Sequence, residues 1–278
     1  MTNILRTQNG QRLNLGGILK LPRKPWELDD FEYLLRYEAE NARRHKVTAN
    51  GDAQLDGNGA CVFDGSDDYL GIDNYADFDF TNQDFTIGCY FRRASGIGVN
   101  PWLIGTLGGA GNIEPFGLRI IGTAFEGYFR DSVSGSLNFS SSTISLDTDW
   151  HHVAYVRDGT TLRIYYDGVQ IGTNSIGTVT MLSPNKLITI GAQNYLGSID
   201  NEWTGEISRF PVVKGTCLYP DGTTFTPPVR TDPITVDEYT VLALNFEGSN
   251  GSTRILDSAK PSYTINASDD FSGTDGNS

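Results

Sequence analysis

The 278 residues carry 32 Gly, 11% aromatic residues and a formal net charge of −13. Such a turn-rich composition is poor for a helical bundle, and the acidic body opposes nucleic acid or an anionic membrane as partner. Three widely spaced cysteines without a C-x-x-C (Cys61, Cys89 and Cys217) argue against a disulfide framework or zinc site and for buried free thiols.

In chain order, residues 1–24 read as an extended basic arm, with Arg6, Arg12, Lys20, Arg23 and Lys24 and no acid. Its start, MTNILRTQNGQRLNLGG, lacks the apolar core of a signal peptide, so synthesis in a cytoplasm is expected. No apolar run approaches the ~20 residues of a membrane span. Residues 25–46, PWELDDFEYLLRYEAENARRHK, predict the one amphipathic helix. Pro25 suits the first turn, acids lie near the start, and Arg43, Arg44 and Lys46 lie at the end, complementing the helix dipole. Leu28, Phe31, Leu34 and Leu35 make an apolar stripe, preceded by Trp26. That stripe packs either on the chain's own sandwich or on another subunit. Residues 1–50 hold nine Lys/Arg against six Asp/Glu, while the rest of the chain is strongly acidic, so the two segments suit different partners.

Residues 47–59 read as a turn-rich linker. From residue 60 short strands follow: ACVFDG (60–65), DYLGI (68–72), DFTIGCYFRR (84–93), PWLIGT (101–106), FGLRII (116–121) and FEGYFR (125–130). Then come DWHHVAYVRD (149–158), TLRIYYDG (161–168), VQIG (169–172), KLITIG (186–191), WTGEISRF (203–210) and TVLALNF (240–246). Strands at this density, joined by Gly, Asp and Asn, point to an antiparallel sandwich. The acidic end, residues 266–278, reads as a solvated tail.

His151 and His152 are the conspicuous chemical pair. Successive side chains of a strand face opposite ways, so the two rings cannot share a metal. Asp167-Gly168 predicts a two-residue hairpin, and Trp150 reads as a core anchor. The pattern W-H-H-V-A-x-V-R-D-G-x-x-L-x-I-Y-x-D-G resembles the signature of laminin G-like domains of the concanavalin A-like jelly-roll superfamily. VFDGSDDYLGI, FDFTNQDFTIGCYFRR, KLITIGAQ, WTGEISRFPVVKGTCLYPDGTTFTPP and TVLALNFEGSNGSTRILDSA resemble further stretches of that family in sequential order. The variant with the FTPP tail is similar to free-standing copies in bacteriophage structural proteins. The resemblance implies a jelly-roll over residues 60–265 in which His152 is a fold residue.

Three kinds of site remain open. Glu206 is an isolated hydrolase candidate, without the second carboxylate that glycoside hydrolysis needs. The loop oxygens of Asp67, Asp68, Asp200 and Asp257 are hard donors of the kind calcium takes. Trp102, Asn194 with Tyr195, and Tyr219 with Asp221 are glycan-stacking candidates. The expectation is a non-enzymatic phage virion protein, a capsid decoration, head-fibre or small tail subunit, oligomeric in the particle. Residues 1–46 would anchor it to other virion proteins, with Arg6, Arg12, Arg23, Lys24, Trp26, Leu28, Phe31, Leu34 and Leu35 as contacts, and the sandwich would touch host-surface glycans. A carbohydrate-binding tail adhesin is the alternative, and a polysaccharide hydrolase the next. No cofactor other than calcium is implied.

Overall fold

In the strand Ala124–Asp131 every second residue is buried. Phe125, Gly127, Phe129 and Asp131 point inward, while Glu126, Tyr128 and Arg130 lie on the other face, as a pleated ribbon requires. The computed structural model describes residues 45–73, 75–94, 100–106, 114–131, 135–195 and 198–259. The arm, the anchor helix up to residue 44 and the tail lie outside them. Of the expected helix only His45 and Lys46 are described, and they are not helical.

The strands in chain order are β1 (Val47–Asn50), β2 (Gln54–Leu55), β3 (Ala60–Asp64), β4 (Tyr69–Ile72), β5 (Phe85–Arg93), β6 (Trp102–Gly105), β7 (Phe116–Ile121), β8 (Ala124–Asp131), β9 (Gly135–Ser136) and β10 (Phe139–Thr143). They continue as β11 (His151–Asp158), β12 (Thr161–Tyr166), β13 (Val169–Ser175), β14 (Ile188–Ile190), β15 (Gln193–Tyr195), β16 (Ser198–Asp200), β17 (Thr204–Ser208), β18 (Phe210–Lys214) and β19 (Thr240–Leu244). One sheet runs β1-β4-β14-β6-β7-β8-β10, with β9 on β8. The second runs β13-β12-β11-β5-β17-β3-β2, with β18 also on β5 and β19 on β18. β15 and β16 form a separate ribbon. Strands distant in sequence lie side by side in both sheets, and the pairing is antiparallel, as in a jelly-roll sandwich.

The core is aromatic. Trp203 is fully buried and meets Phe91 edge-on at 5.6 Å. Cys61 and Cys89 are buried free thiols, and burial raises both thiol pKa values. Among the largest fully buried side chains Arg157 alone is charged. Its guanidinium donates to the carbonyls of Gly159 (3.0 Å), Thr81 (3.0 Å) and Val179 (2.9 Å).

The second sheet is buried on part of its outer face too. Val153 and Tyr155 of β11 enter the core, whereas Ala154, Val156 and Tyr165 form an outer cluster with Cys217, Tyr219 and Phe225. The chain after β18 thus crosses the sheet as a strap. It is fixed by Leu218 N–H to Thr86 Oγ1 (2.9 Å), Phe225 N–H to Gly168 O (3.0 Å) and Tyr90 O–H to Pro228 O (2.6 Å).

Two expectations need correction. Residues 47–59, expected as a linker, contain β1 and β2, the outermost strands of the two sheets. They pair on one side only and are too short to show an alternating pattern. Trp150, expected in the core, is only partly buried. It lies between two guanidinium groups, Arg92 at 5.1 Å and Arg230 at 4.4 Å from its ring centroid.

Candidate functional site

The two histidines part company as strand geometry demands. His151 places Nδ1 2.7 Å from Asp167 Oδ2 and Nε2 2.8 Å from Asp147 Oδ1, with its ring stacked on Tyr166. Partial burial opposes the charge, but the two carboxylates outweigh it and raise the His151 pKa. The Asp147 carboxyl is held down at about 2, chiefly by its hydrogen bond with His151. His152 is buried under the strap, edge-on to Tyr90, Tyr219 and Phe225, and its Nδ1 has no partner. Burial, followed by the nearby Arg209 charge, depresses its pKa to about 4. Both rings therefore serve the scaffold.

Three of the four glycan candidates come from neighbouring strands, since β15 lies beside β6. Trp102 is fully buried, so it offers no open face. Arg119 covers it at 5.3 Å and Tyr128 at 4.8 Å, while its Nη2 pairs with Glu126 at 2.7 Å. Asn194 is also buried, next to Gln193, which bonds Glu114 (2.7 Å) and Asn201 (2.8 Å). Tyr195 ends β15, paired with Ser198. Tyr219, the fourth, belongs to the strap. Its ring lies parallel to Phe225 at 3.6 Å, so one face is already occupied. Asp221 beside it is exposed, with its N–H donated to Asp158. A π-surface and a core residue look alike in sequence, and here packing claimed Trp102.

The calcium candidates hold the backbone instead. Asp67 is exposed in the left-handed region (φ 57°). Asp68 is buried and accepts the N–H groups of Asp52 (2.5 Å) and Asp64 (2.6 Å). Asp200 accepts from Asn201 (2.8 Å). Asp257 is bonded by the amides of Ala243 and Ala259 and by His45. Among the described residues no three His, Cys, Asp or Glu side chains gather as a metal site.

A cleft of about 540 Å³ opens at the rim of the second sheet, where β3 and β5 end and β17 begins. Asp64, Arg92, Arg93, Thr148, Thr204 and Glu206 are among its walls. Register sets Glu206 opposite Arg92. The two form a bidentate pair, Arg92 Nη2 to Oε1 at 2.6 Å and Nε to Oε2. The hydrolase candidate thus has both oxygens bound. Gly205, between Thr204 and Glu206, has φ +131°, and a Cβ there would stand 2.2 Å from Arg92 O. Sequence reasoning missed Arg92 and Arg93. The signal was the doublet closing DFTIGCYFRR, whose members must face opposite sides of β5.

A laminin G family model, described as the concanavalin A-like lectin/glucanases superfamily, matches residues 64–217, more than half of the chain. The chain belongs to this superfamily. The WHHVAYV strand and most of the cleft's walls fall within the matched stretch, whereas β1, β2, nearly all of β3, β19 and most of the strap lie outside it. Among solved structures, the binding domain of Paraclostridial Mosquitocidal Protein 1 matches at 14% identity and TM-score 0.46, over 59% of this chain and 44% of that one. The botulinum neurotoxin serotype G binding domain matches at 12% and 0.48, over 66% and 44%. The binding domain of botulinum neurotoxin DC, in complex with SialylT, matches at 15% and 0.45, over 60% and 42%. The chain spans less than half the length of these structures. No curated protein matches it.

Proposed function

We propose that the chain is a non-enzymatic display and binding module. In this reading it is a phage virion structural protein whose laminin G-like sandwich is held on the particle by residues 1–46 and meets host-surface glycans. The observation that carries it is the commitment of the named acid–base groups: Glu206 is clamped by Arg92, His151 lies between two aspartates, and His152 is buried. General acid–base catalysis needs such groups facing a substrate, and recognition does not. The charge reversal between the basic N-terminal arm and the acidic remainder supports separate anchoring and display surfaces.

Because His45 is bonded into the sandwich, the informative truncation removes residues 1–44. A folded sandwich that no longer joins particles is expected, and normal incorporation of the truncated protein would overturn the anchoring role. Silence of the full chain on an array of host polysaccharides, with and without calcium, would overturn the glycan role. Glu206→Gln should leave any residual polysaccharide turnover unchanged.

A further inference from the structure

After β18 the chain leaves the second sheet and returns to it as β19. Phe210, Val212 and Val213 pair with Leu244, Leu242 and Thr240, and Lys214 N–H donates to Tyr239 O at 2.9 Å. The strap is therefore the outer part of a loop whose ends are tied together. Its return limb has an anchor of its own, because Ile234 is buried and its N–H donates to Asn245 Oδ1 at 2.8 Å. Residues 217–228 contribute no strand, so lifting them breaks no ladder.

The strap covers a trough in the sheet. Gly88 and Ala154 lie opposite each other on β5 and β11, between the larger pair Tyr90 and His152 and, on β12, Tyr165. Two strap rings sit over it. Tyr219 and Phe225 lie parallel at 3.6 Å, and both stand edge-on to His152, at 6.3 Å and 5.9 Å. Tyr165 O–H donates to Tyr219 O at 2.9 Å. The cover fits the apolar part of the sheet better than the polar part. His152 Nδ1 is closed to water without a partner, and so is Gln170 Oε1, beneath Gly222. Burying polar atoms unpaired is unfavourable, so apolar contact holds the strap down against that cost.

A proton on His152 adds a charge that the closed strap cannot satisfy. Tyr90 from β5 and Tyr219 from the strap are kept neutral by burial. Arg209, between β17 and β18, repels the charge. Asp167, in the turn after β12, attracts it, but its Oδ1 already takes the His152 N–H at 2.8 Å. We propose that the strap is an acid-released cover: protonation of His152 lifts residues 217–228 off the second sheet while both sheets stay paired, and opens the trough lined by Tyr90, His152 and Tyr165. The closed form holds His152 at about 4, whereas the hydrated ring of the open form titrates near its ordinary value of about 6.5. The open form thus takes the proton first, and acid favours it. Between about pH 7.5 and pH 4.5 the ratio of open to closed should rise on the order of 70-fold.

Amide hydrogen exchange on the full-length protein reads that ratio. The N–H groups of Phe225, bonded to Gly168 O, and Leu218, bonded to Thr86 Oγ1, report the strap, and those of β11 and β12 report the sheet. Corrected for intrinsic rates, strap protection should fall by about 70-fold between the two pH values while β11 and β12 keep theirs far better. His152→Phe and His152→Gln cannot take the proton, and each should leave strap protection nearly constant. Wild-type protection of β11 at about pH 7.5 shows that a variant is folded, so one of the two suffices. Strap protection that survives acid in the wild type overturns the device, as does an equal loss in a folded variant. Loss from strap, β11 and β12 together also overturns it, since the sheets would then be unfolding with the strap.

Discussion

The Nδ1 of His45 lies 2.7 Å from Oδ2 of Asp257, joining residues 212 positions apart in the chain. Asp257 also takes the amides of Ala243 in β19 and Ala259, both at 2.9 Å, while His45 Nε2 stands 3.2 Å from Asp77. The contact closes the sandwich where β1 begins. Burial disfavours an imidazolium here, but the two carboxylates more than compensate and hold the His45 pKa at about 9.

Stability should therefore depend on pH through His45. The folded value lies above the unfolded value of about 6.5, so the contribution is complete below that pH and is lost as pH rises through about 9. Linkage makes it on the order of 3 kcal/mol. Urea denaturation of wild type and His45→Gln should show a gap that narrows between about pH 6 and pH 9.5. Parallel curves across that range would contradict the ion pair.

His152 acts in the opposite direction. Its folded pKa of about 4 lies below the unfolded value, so the unfolded chain binds the proton first. Stability should fall as pH drops from about 6.5 toward 4, by up to about 3 kcal/mol. His152→Phe keeps an aromatic ring among Tyr90, Tyr219 and Phe225 and should flatten that acid limb, measured by urea midpoints at about pH 4.5 and pH 7. An unchanged acid limb would mean that another group sets it.

Arg157→Lys should destabilise by about 2–4 kcal/mol. The lysine keeps the charge, but its single nitrogen cannot serve three carbonyls arranged for a planar fork, and those it leaves are partly shielded from water. A loss under about 0.5 kcal/mol would show that water replaces the fork.

Gly168→Ala tests the strap. The residue has φ +80°, and an added Cβ would stand 1.9 Å from Phe225 O. The strap should lift locally, so limited proteolysis should cut between about residues 217 and 228 before the sheets unfold. Cleavage at the wild-type rate would mean that the strap is held elsewhere.

Asp167-Gly168 shows how much the local sequence could say. Both residues have positive φ, and they join β12 to β13 as the two-residue hairpin expected of that pair. The polar β10 (Phe139–Thr143) and the short β1 and β2 gave no such signal, because edge strands and strands with one wet face need little apolar alternation. The site was less legible still. Arg92 and Glu206 are 114 positions apart, and only sheet register makes them a pair.

By itself the sequence determined the all-β class, the order of the main strands, the separation of His151 from His152 and the Asp-Gly turn, since these depend on side-chain alternation and backbone preference within a few residues. Which face of β11 looks inward was not decided there, because Val153 and Tyr155 on one side and Ala154 and Val156 on the other are all apolar. Tertiary structure decided it by laying the strap over the second face. The same long-range packing moved Trp150 to the rim, buried Trp102 and left the Arg93 Nε without a hydrogen-bond acceptor. Burial and charge pairing are properties of neighbours in space, and in a jelly-roll those neighbours come from remote parts of the chain.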